Sequence, residues 1–286
     1  MRKWRKYLSV TAALAAIGLV SLYHTAFTVS DKPELLVYHS GTLSHQQACF
    51  QTEPTSYLDN SGTINLVVWN IFKQNRESWK TELSRMAKEK QLLLLQEVSF
   101  NEAFQSWIDQ QRLNSYQVNA FEVFQLPAGV MTLSQQAAIK ACAMLSMEPW
   151  LRLPKSSLYS LYSLSGGDTL AVINLHGINF AFGISDYRQQ LNQVYLALKQ
   201  HKGPVILAGD FNAWSESRTT ALAQLTDGLK LEPVTFEPDN RTRFVTGLPL
   251  DFLFIRGLDL INAKAPVTDA SDHNPLLAEL RISGYK

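Results

Sequence analysis

The 286-residue chain has little cysteine, glycine or proline, and each low count excludes a class of protein. Two cysteines, Cys49 and Cys142, are too few for a disulfide-stapled mini-protein or for a zinc site of four thiolates. Fourteen glycines and eleven prolines exclude a collagen-like or proline-rich fibrous chain. The two cysteines could form one disulfide in an oxidising compartment or remain separate buried thiols, and the sequence leaves both alternatives open.

Charge is also scarce, and it is unevenly distributed. Charged residues make up 18% of the chain and hydrophobic residues 46%, which is enough apolar material for a large core and excludes wholesale disorder. Residues 1–30 contain four of the 26 basic residues and no acidic one, so the remaining chain has 22 basic and 25 acidic residues, a net charge of −3. Such a chain is not expected to bind long duplex nucleic acid through one basic face, although this net charge does not exclude a local basic patch.

The N-terminus has the order of a secretory signal or an uncleaved membrane anchor, because cations precede an apolar stretch from Leu8 to Tyr23. Extension to Phe27 gives about 20 residues, the length of a membrane-spanning helix. No clean A-x-A cleavage motif follows, so we expect residues 1–30 to be an inner-membrane anchor or signal-like segment. The cations would remain in the cytoplasm and the rest of the chain would face the periplasm. The alternative is a cytoplasmic protein with an amphiphilic N-terminal helix.

The rest of the chain divides at about residue 62. Residues 31–62 mix Ser, Thr, Gln, Pro and Gly with little periodicity, which predicts a linker or a loosely packed lead-in. Residues 63–286 alternate apolar runs with amphipathic segments, which predicts one α/β domain. Strands buried on both faces are predicted over 65–70, 91–98, 170–177, 204–212, 250–256 and 274–280. Helices are predicted over 77–90, 187–198 and 217–225.

Polar or ionisable residues stand at the ends of these apolar runs. They are Asn70, Glu97, His176, Asp210, Asn212, Asp251, Asp272 and His273. Strand ends are where α/β folds build ligand sites, so together these residues predict one rim of the fold with metal-binding and proton-transfer groups. Carboxylate and amide oxygens without nearby cysteine favour Mg²⁺ or Mn²⁺ over zinc, and a substrate phosphate is the usual partner of such an ion. The set therefore predicts metal-assisted attack of water on a phosphate ester.

The motifs that carry these residues occur in a characteristic order. They are WN (69–70), QE (96–97), NLHGIN (174–179), GDFNAW (209–214), LDF (250–252) and SDHNPL (271–276). In type and order they resemble the endonuclease/exonuclease/phosphatase superfamily, over about residues 63–282. GVMTLS (129–134) and GDFNAWS (209–215) resemble its bacterial YafD-like members most. The resemblance implies a four-layer αββα sandwich, in which two packed mixed β-sheets are flanked by helices.

The resemblance also implies a metal site and a phosphate-contacting pair. Glu97 resembles the principal Mg²⁺ ligand of the superfamily, with Asn70 supporting the metal or the phosphate and Asp272 as a second ligand. Asp210 resembles the residue that positions or deprotonates the attacking water. Asn212 would donate a hydrogen bond to a non-bridging phosphate oxygen.

Two histidines and a carboxylate complete the implied catalytic set. His273 resembles the imidazole that bonds the phosphate and takes part in proton transfer, and Asp251 would fix its orientation and tautomer. His176 matches the second active-site histidine of the deoxyribonuclease and sphingomyelinase branches. The sequence does not identify an acidic partner for His176, because the spacing of Glu122, the nearest preceding carboxylate, does not support that role.

Several alternatives stay open at this stage. Phe72 stands where apurinic endonucleases have an acidic residue, so metal binding would depend more heavily on Glu97. Arg152 and Lys155 are either contacts for substrate phosphates or a solvated cationic stretch. The phosphoester substrate is undecided between nucleic acid, phospholipid and a small molecule, a membrane is a candidate partner, and the oligomeric state is not predicted. The rival function is a non-catalytic, membrane-tethered binding protein on the same fold.

Overall fold

The computed structural model describes residues 2–30 and 32–285, and for part of the first helix it describes the backbone alone. The helices are α1 (Arg2–Ala26), α2 (Trp79–Ala87), α3 (Glu102–Gln111), α4 (Ser185–Leu198) and α5 (Glu216–Leu229), and a 3₁₀ turn covers Phe72–Gln74. Within the part of the chain so described, no helix combines the length and the apolar character that a membrane crossing needs.

Two β-sheets form the centre of the structure. The first ten strands are β1 (Phe27–Thr28), β2 (Glu34–His39), β3 (Thr42–Gln47), β4 (Cys49–Gln51), β5 (Thr63–Asn70), β6 (Leu92–Ser99), β7 (Asn114–Asn119), β8 (Phe121–Val123), β9 (Leu126–Ser134) and β10 (Lys140–Met147). The others are β11 (Pro154–Ser163), β12 (Thr169–His176), β13 (Val205–Asp210), β14 (Glu232–Pro233), β15 (Asp251–Arg256), β16 (Leu258–Lys264) and β17 (Leu276–Ile282).

Both sheets contain parallel and antiparallel pairs. The first has the order β16-β17-β5-β6-β9-β7-β2-β3, with β8 paired to β9 and β1 paired to β8. The second has the order β14-β15-β13-β12-β11-β10-β4. Strands β5 and β6 run parallel at the centre of the first sheet, and β12 and β13 run parallel at the centre of the second.

Three apolar layers separate the elements. Alternate residues of β5 and β13, such as Leu66 and Ile206, pack between the two sheets. Their neighbours face outwards: Val67 packs towards α2 and α3, and Leu207 packs towards α4 and α5. Because both faces of these strands are buried, the runs are apolar throughout and do not alternate with polar residues. The order helix, sheet, sheet, helix confirms the four-layer αββα sandwich.

Residues 31–62 differ from the expected linker. Strand β2 buries Leu35 and Leu36 and pairs with β7, whereas β4 pairs with β10 of the other sheet. Cys49 of β4 lies opposite Cys142 of β10, and the two form a disulfide. The polar composition does not reveal these strands because β3 and β4 lie at sheet edges, where many side chains face solvent.

Candidate active site

Strand register places the predicted polar residues at one edge of the sandwich. In the second sheet His176 is the parallel partner of Asp210, and Asp210 is the antiparallel partner of Asp251. In the first sheet Asn70 is the last residue of β5 and His273 lies just before β17, the antiparallel neighbour of β5. The two sheets meet where the Asn70 amide donates a hydrogen bond of 3.1 Å to Asp210.

A glycine allows the strands to approach closely at this edge. Gly209 has a φ of +141°, and a Cβ there would lie 1.9 Å from the carbonyl oxygen of Leu175 on β12. Any side chain would therefore push β12 and β13 apart directly before Asp210. The glycine of the GDFN motif thus fixes how near Asp210 lies to His176.

Asp210 is buried and connects most of the other groups. Its Oδ2 accepts the Asn70 hydrogen bond and lies 3.5 Å from Nε2 of His176 and 3.9 Å from Nε2 of His273. Its Oδ1 accepts a bond of 3.0 Å from the backbone N–H of Asn212. A buried carboxylate is tolerated only when such donors compensate the lost hydration.

His273 is paired with a carboxylate on its other nitrogen. Its Nδ1 lies 2.8 Å from Oδ2 of Asp251, and Trp69 holds its backbone by donating to the His273 carbonyl. Burial favours the neutral imidazole, but the charges of Asp251 and Asp210 outweigh it and raise the pKa of His273 to about 10. At neutral pH His273 is therefore an imidazolium that can donate a proton.

His176 differs from His273 in its charge state. Its Nε2 accepts a hydrogen bond of 2.9 Å from the ammonium group of Lys155. Burial and the Lys155 charge lower the pKa of His176 to about 4, so the imidazole is neutral at neutral pH. The partner that the sequence did not identify is thus a lysine, while Glu122 accepts from the Asn119 side chain instead.

Glu97 is held in a backbone conformation that is uncommon for a residue with a side chain. Its φ is 53°, at the point where the pairing of β6 and β9 shifts register between Leu95 and Val98. Such bulges re-aim side chains near functional sites. One carboxylate oxygen accepts from Nζ of Lys73 at 2.5 Å and the other lies 3.9 Å from Nε2 of His176. Burial would raise its pKa, but the imidazolium that His176 forms at low pH and the Lys73 ammonium lower it to about 2.

The remaining three predicted residues differ in their surroundings. The Oδ1 of Asn70 accepts from the Phe72 backbone N–H, and the side-chain amide of Asn212 donates to the Gly177 carbonyl. Both asparagines are buried, and their hydrogen bonds hold neighbouring backbone segments of the site in place. Asp272 is exposed, and its carboxylate accepts a long bond of 3.3 Å from the Ser271 hydroxyl. The structure thus joins seven predicted residues by direct contacts and leaves Asp272 at their solvent side.

Two groups of side chains offer ligand atoms for a metal. The donor atoms of Asp210, Asp251 and His273 lie within 4.8 Å of one another. A ligating imidazole must be unprotonated, however, and both carboxylates near His273 favour its charged form. The ionised Glu97 carboxylate, which lies 3.9 Å from Nε2 of His176, offers oxygen ligands without this conflict. A hard cation such as Mg²⁺ prefers that kind of donor.

A buried arginine that the sequence analysis did not include connects the two loops after His176 and Asp210. The Arg218 guanidinium donates to the backbone carbonyls of Ile178, Asn179 and Asn212, and its carbon lies 4.4 Å from the centre of the Trp214 ring. It therefore connects the loop after His176 with the loop after Asp210. The signal in the sequence is its position on α5, three, four and seven residues before the buried Ala221, Leu222 and Leu225.

Comparison with known proteins identifies the family of this chain. Residues 67–273 match the profile of the Endonuclease/Exonuclease/phosphatase family. The chain belongs to this family. Members of the endonuclease/exonuclease/phosphatase family hydrolyse phosphoester bonds and generally depend on a metal.

The similar curated proteins are UPF0294 proteins. One from Vibrio parahaemolyticus is 47% identical over 280 residues, 98% of this chain and 99% of its own length. One from Photorhabdus laumondii is 45% identical over 249 residues, 87% of this chain and 95% of its own. Two solved structures are similar to this chain. The endonuclease/exonuclease/phosphatase from Bacteroides vulgatus has a TM-score of 0.61 and 16% identity, over 77% of this chain and 99% of that one. The other is D. rerio TDP2 in complex with a single-strand DNA product. The TDP2 match has a TM-score of 0.56 and 14% identity over 77% of this chain and 99% of that one, so both structures show a shared fold.

Arg218→Met should destabilise the protein strongly, because it leaves three buried carbonyl groups without their donor. We expect the free energy of unfolding to fall by about 3 kcal/mol or more, measured by urea denaturation. Arg188→Met is the matched control, since Arg188 is an exposed arginine of α4 and should change stability by less than about 0.5 kcal/mol. Equal effects of the two substitutions would contradict the role of Arg218.

Proposed function

We propose that this protein is a Mg²⁺-dependent phosphodiesterase, with Mn²⁺ as a substitute ion, in which water attacks the phosphorus of the substrate. The observation that carries the proposal is the position of the buried Asp210 carboxylate, which lies within 4 Å of Nε2 of both His176 and His273, while Asp251 contacts the other nitrogen of His273. Asp210 can accept a proton, and His273, whose pKa is raised to about 10, can donate one, while His176, whose pKa is lowered to about 4, is neutral. A site for hydrolysis needs both a proton acceptor and a proton donor near the reacting atoms.

Each side chain then has one part of the reaction. Asp210 orients the attacking water and accepts its proton. His273, held by Asp251, bonds a phosphate oxygen and donates its Nε2 proton as negative charge develops. His176, held by Lys155, contacts the phosphate from the other side of Asp210. Asn212 contacts a non-bridging oxygen.

The metal would be held mainly by Glu97, with Asn70 and Asp272 as further oxygen donors. A bound Mg²⁺ polarises the phosphoryl group and neutralises its charge. The carboxylate of Glu97 suits this role because its pKa is low and it lines the same cleft as Lys73, Lys155 and His176. The two lysines add positive charge to the cleft, where an anionic phosphodiester would enter.

Glu97→Gln and Asp251→Asn should fail in different ways in hydrolysis of bis(p-nitrophenyl) phosphate. Glu97→Gln removes the charge that attracts Mg²⁺, so activity should fall at low Mg²⁺ and recover in part at high Mg²⁺. Asp251→Asn removes the group that orients His273, so the rate should fall by about 10²–10⁴-fold while the Mg²⁺ dependence stays near normal. EDTA should abolish activity of the parent protein.

The two substitutions control for each other because both replace a carboxylate by its amide. The assignment fails if excess Mg²⁺ rescues Asp251→Asn as well as Glu97→Gln, or if Asp251→Asn leaves the rate intact. Inactivity of the parent protein on nucleic acid, phospholipid, inositol phosphate and generic phosphodiesters, with Mg²⁺ and Mn²⁺ present, would favour the rival non-catalytic binding protein.

We also propose that the folded body lies outside the cytoplasm, as expected for a periplasmic domain. The support is the Cys49–Cys142 disulfide, because disulfides persist in oxidising compartments and are rare in the cytosol. Whole cells treated with a membrane-permeant alkylating agent and then denatured should show both cysteines protected until a reductant is added. In Cys49→Ser the remaining Cys142 should react without reductant. Labelling of both parent cysteines before reduction would rule out the location.

A further inference from the structure

Large apolar side chains are exposed beside the cleft. We define the apolar rim as the exposed Phe124, Trp150, Leu151 and Phe182 together with the half-buried Tyr23. They come from the loop after β8, the loop after β10, the loop after β12 and the end of α1. Phe182 is 80% exposed, Phe124 68% and Trp150 55%. Grouped exposed side chains of this size mark interaction surfaces, whereas single ones need no explanation.

Direct contacts join the rim to the cleft. The rings of Trp150 and Phe182 lie 4.5 Å apart, and the Tyr23 hydroxyl donates to the Leu151 carbonyl at 2.9 Å. Phe124 donates its backbone N–H to the carbonyl of Ala26, the last residue of α1. Strand β1 then pairs with β8, whose Phe121 lines the cleft beside Glu97 and Lys155.

The loop that carries Trp150 and Leu151 has one exposed charge, and it is a cation. Arg152 is exposed between Leu151 and the cleft residue Lys155. Glu148, the acidic residue of this loop, is buried and accepts two hydrogen bonds of 2.8 Å from the backbone N–H groups of Asn179 and Phe180. The apolar rim therefore lies beside two cations, the exposed Arg152 and Lys155 of the cleft.

This combination fits the headgroup region of a bilayer better than a second protein surface. Tryptophan and tyrosine are enriched at that depth because their rings are amphipathic, and cations there meet lipid phosphates. The apolar surface also continues onto α1, where Ile17, Val20 and Leu22 are exposed.

We propose that the apolar rim docks on a lipid bilayer and that the phosphodiester substrate is a glycerophospholipid in that bilayer. The substrate part rests on the proposed phosphodiesterase function, whereas the docking part does not. Docking places Trp150 and Phe182 among the acyl chains, with Arg152 at the phosphate layer. The cleft of Glu97 and Lys155 then lies at the height of lipid headgroups.

Docking is measured by fluorescence with the full-length protein in vesicles of phosphatidylethanolamine and phosphatidylglycerol that carry brominated acyl chains. Bromine quenches tryptophans that reach the acyl region. Trp150→Phe should lose at least a quarter of the quenching of the parent protein, whereas Trp79→Phe, which removes a buried tryptophan of α2, should lose none. Equal quenching in the parent and Trp150→Phe overturns the docking, whether or not the protein is an enzyme.

The substrate is tested with Trp150→Ser/Phe182→Ser against the control Leu260→Ser/Ile261→Ser, two exposed residues of the edge strand β16. The rim variant should hydrolyse soluble bis(p-nitrophenyl) phosphate within twofold of the parent rate and vesicle phospholipid at least tenfold more slowly. The control should match the parent on both. The proposal is overturned if the rim variant loses both activities equally or loses no activity on vesicles. It is also overturned if the rim substitutions change the oligomeric state and lipid quenching is absent. Inactivity of the parent protein on every phosphoester would instead overturn the proposed phosphodiesterase function.

Discussion

The arrangement of this protein depends on one buried carboxylate between two sheets. Asp210 ends a central strand of the second sheet and accepts a hydrogen bond from Asn70, which ends a central strand of the first. A carboxylate at this depth is stable only with donors on several sides, and it has an asparagine side chain, a backbone N–H and the charged imidazole of His273 around it. The same contacts that compensate its burial bring the reactive groups to one edge.

The surroundings of the two histidines give them different chemical roles. His273 lies between two carboxylates and is charged, whereas His176 accepts from a lysine and is neutral. The difference comes from position alone, since each imidazole approaches the same oxygen of Asp210. Arg218 and the close approach at Gly209 keep the loops that carry these groups in place.

The sequence was sufficient for the central strands and for the polar residues that stand at their ends. Strands buried on both faces leave continuous apolar runs, and the polar residues that end them stand out. Strands β2 to β4 were missed because β3 and β4 lie at sheet edges and their exposed faces make the segment look like a linker, and β10 and β11 because serines interrupt them. The contacts of Lys73, Lys155 and Arg218 could not be predicted, because they join residues 24, 21 and up to 40 positions apart through the fold.

The most direct test of this account is the activity of Asp210→Asn, which keeps the shape of the side chain but removes its charge. Hydrolysis of bis(p-nitrophenyl) phosphate with Mg²⁺ should fall by about 10³-fold or more, while circular dichroism still shows a folded protein. A folded Asp210→Asn protein that hydrolyses the substrate at the parent rate would contradict the central role of this carboxylate.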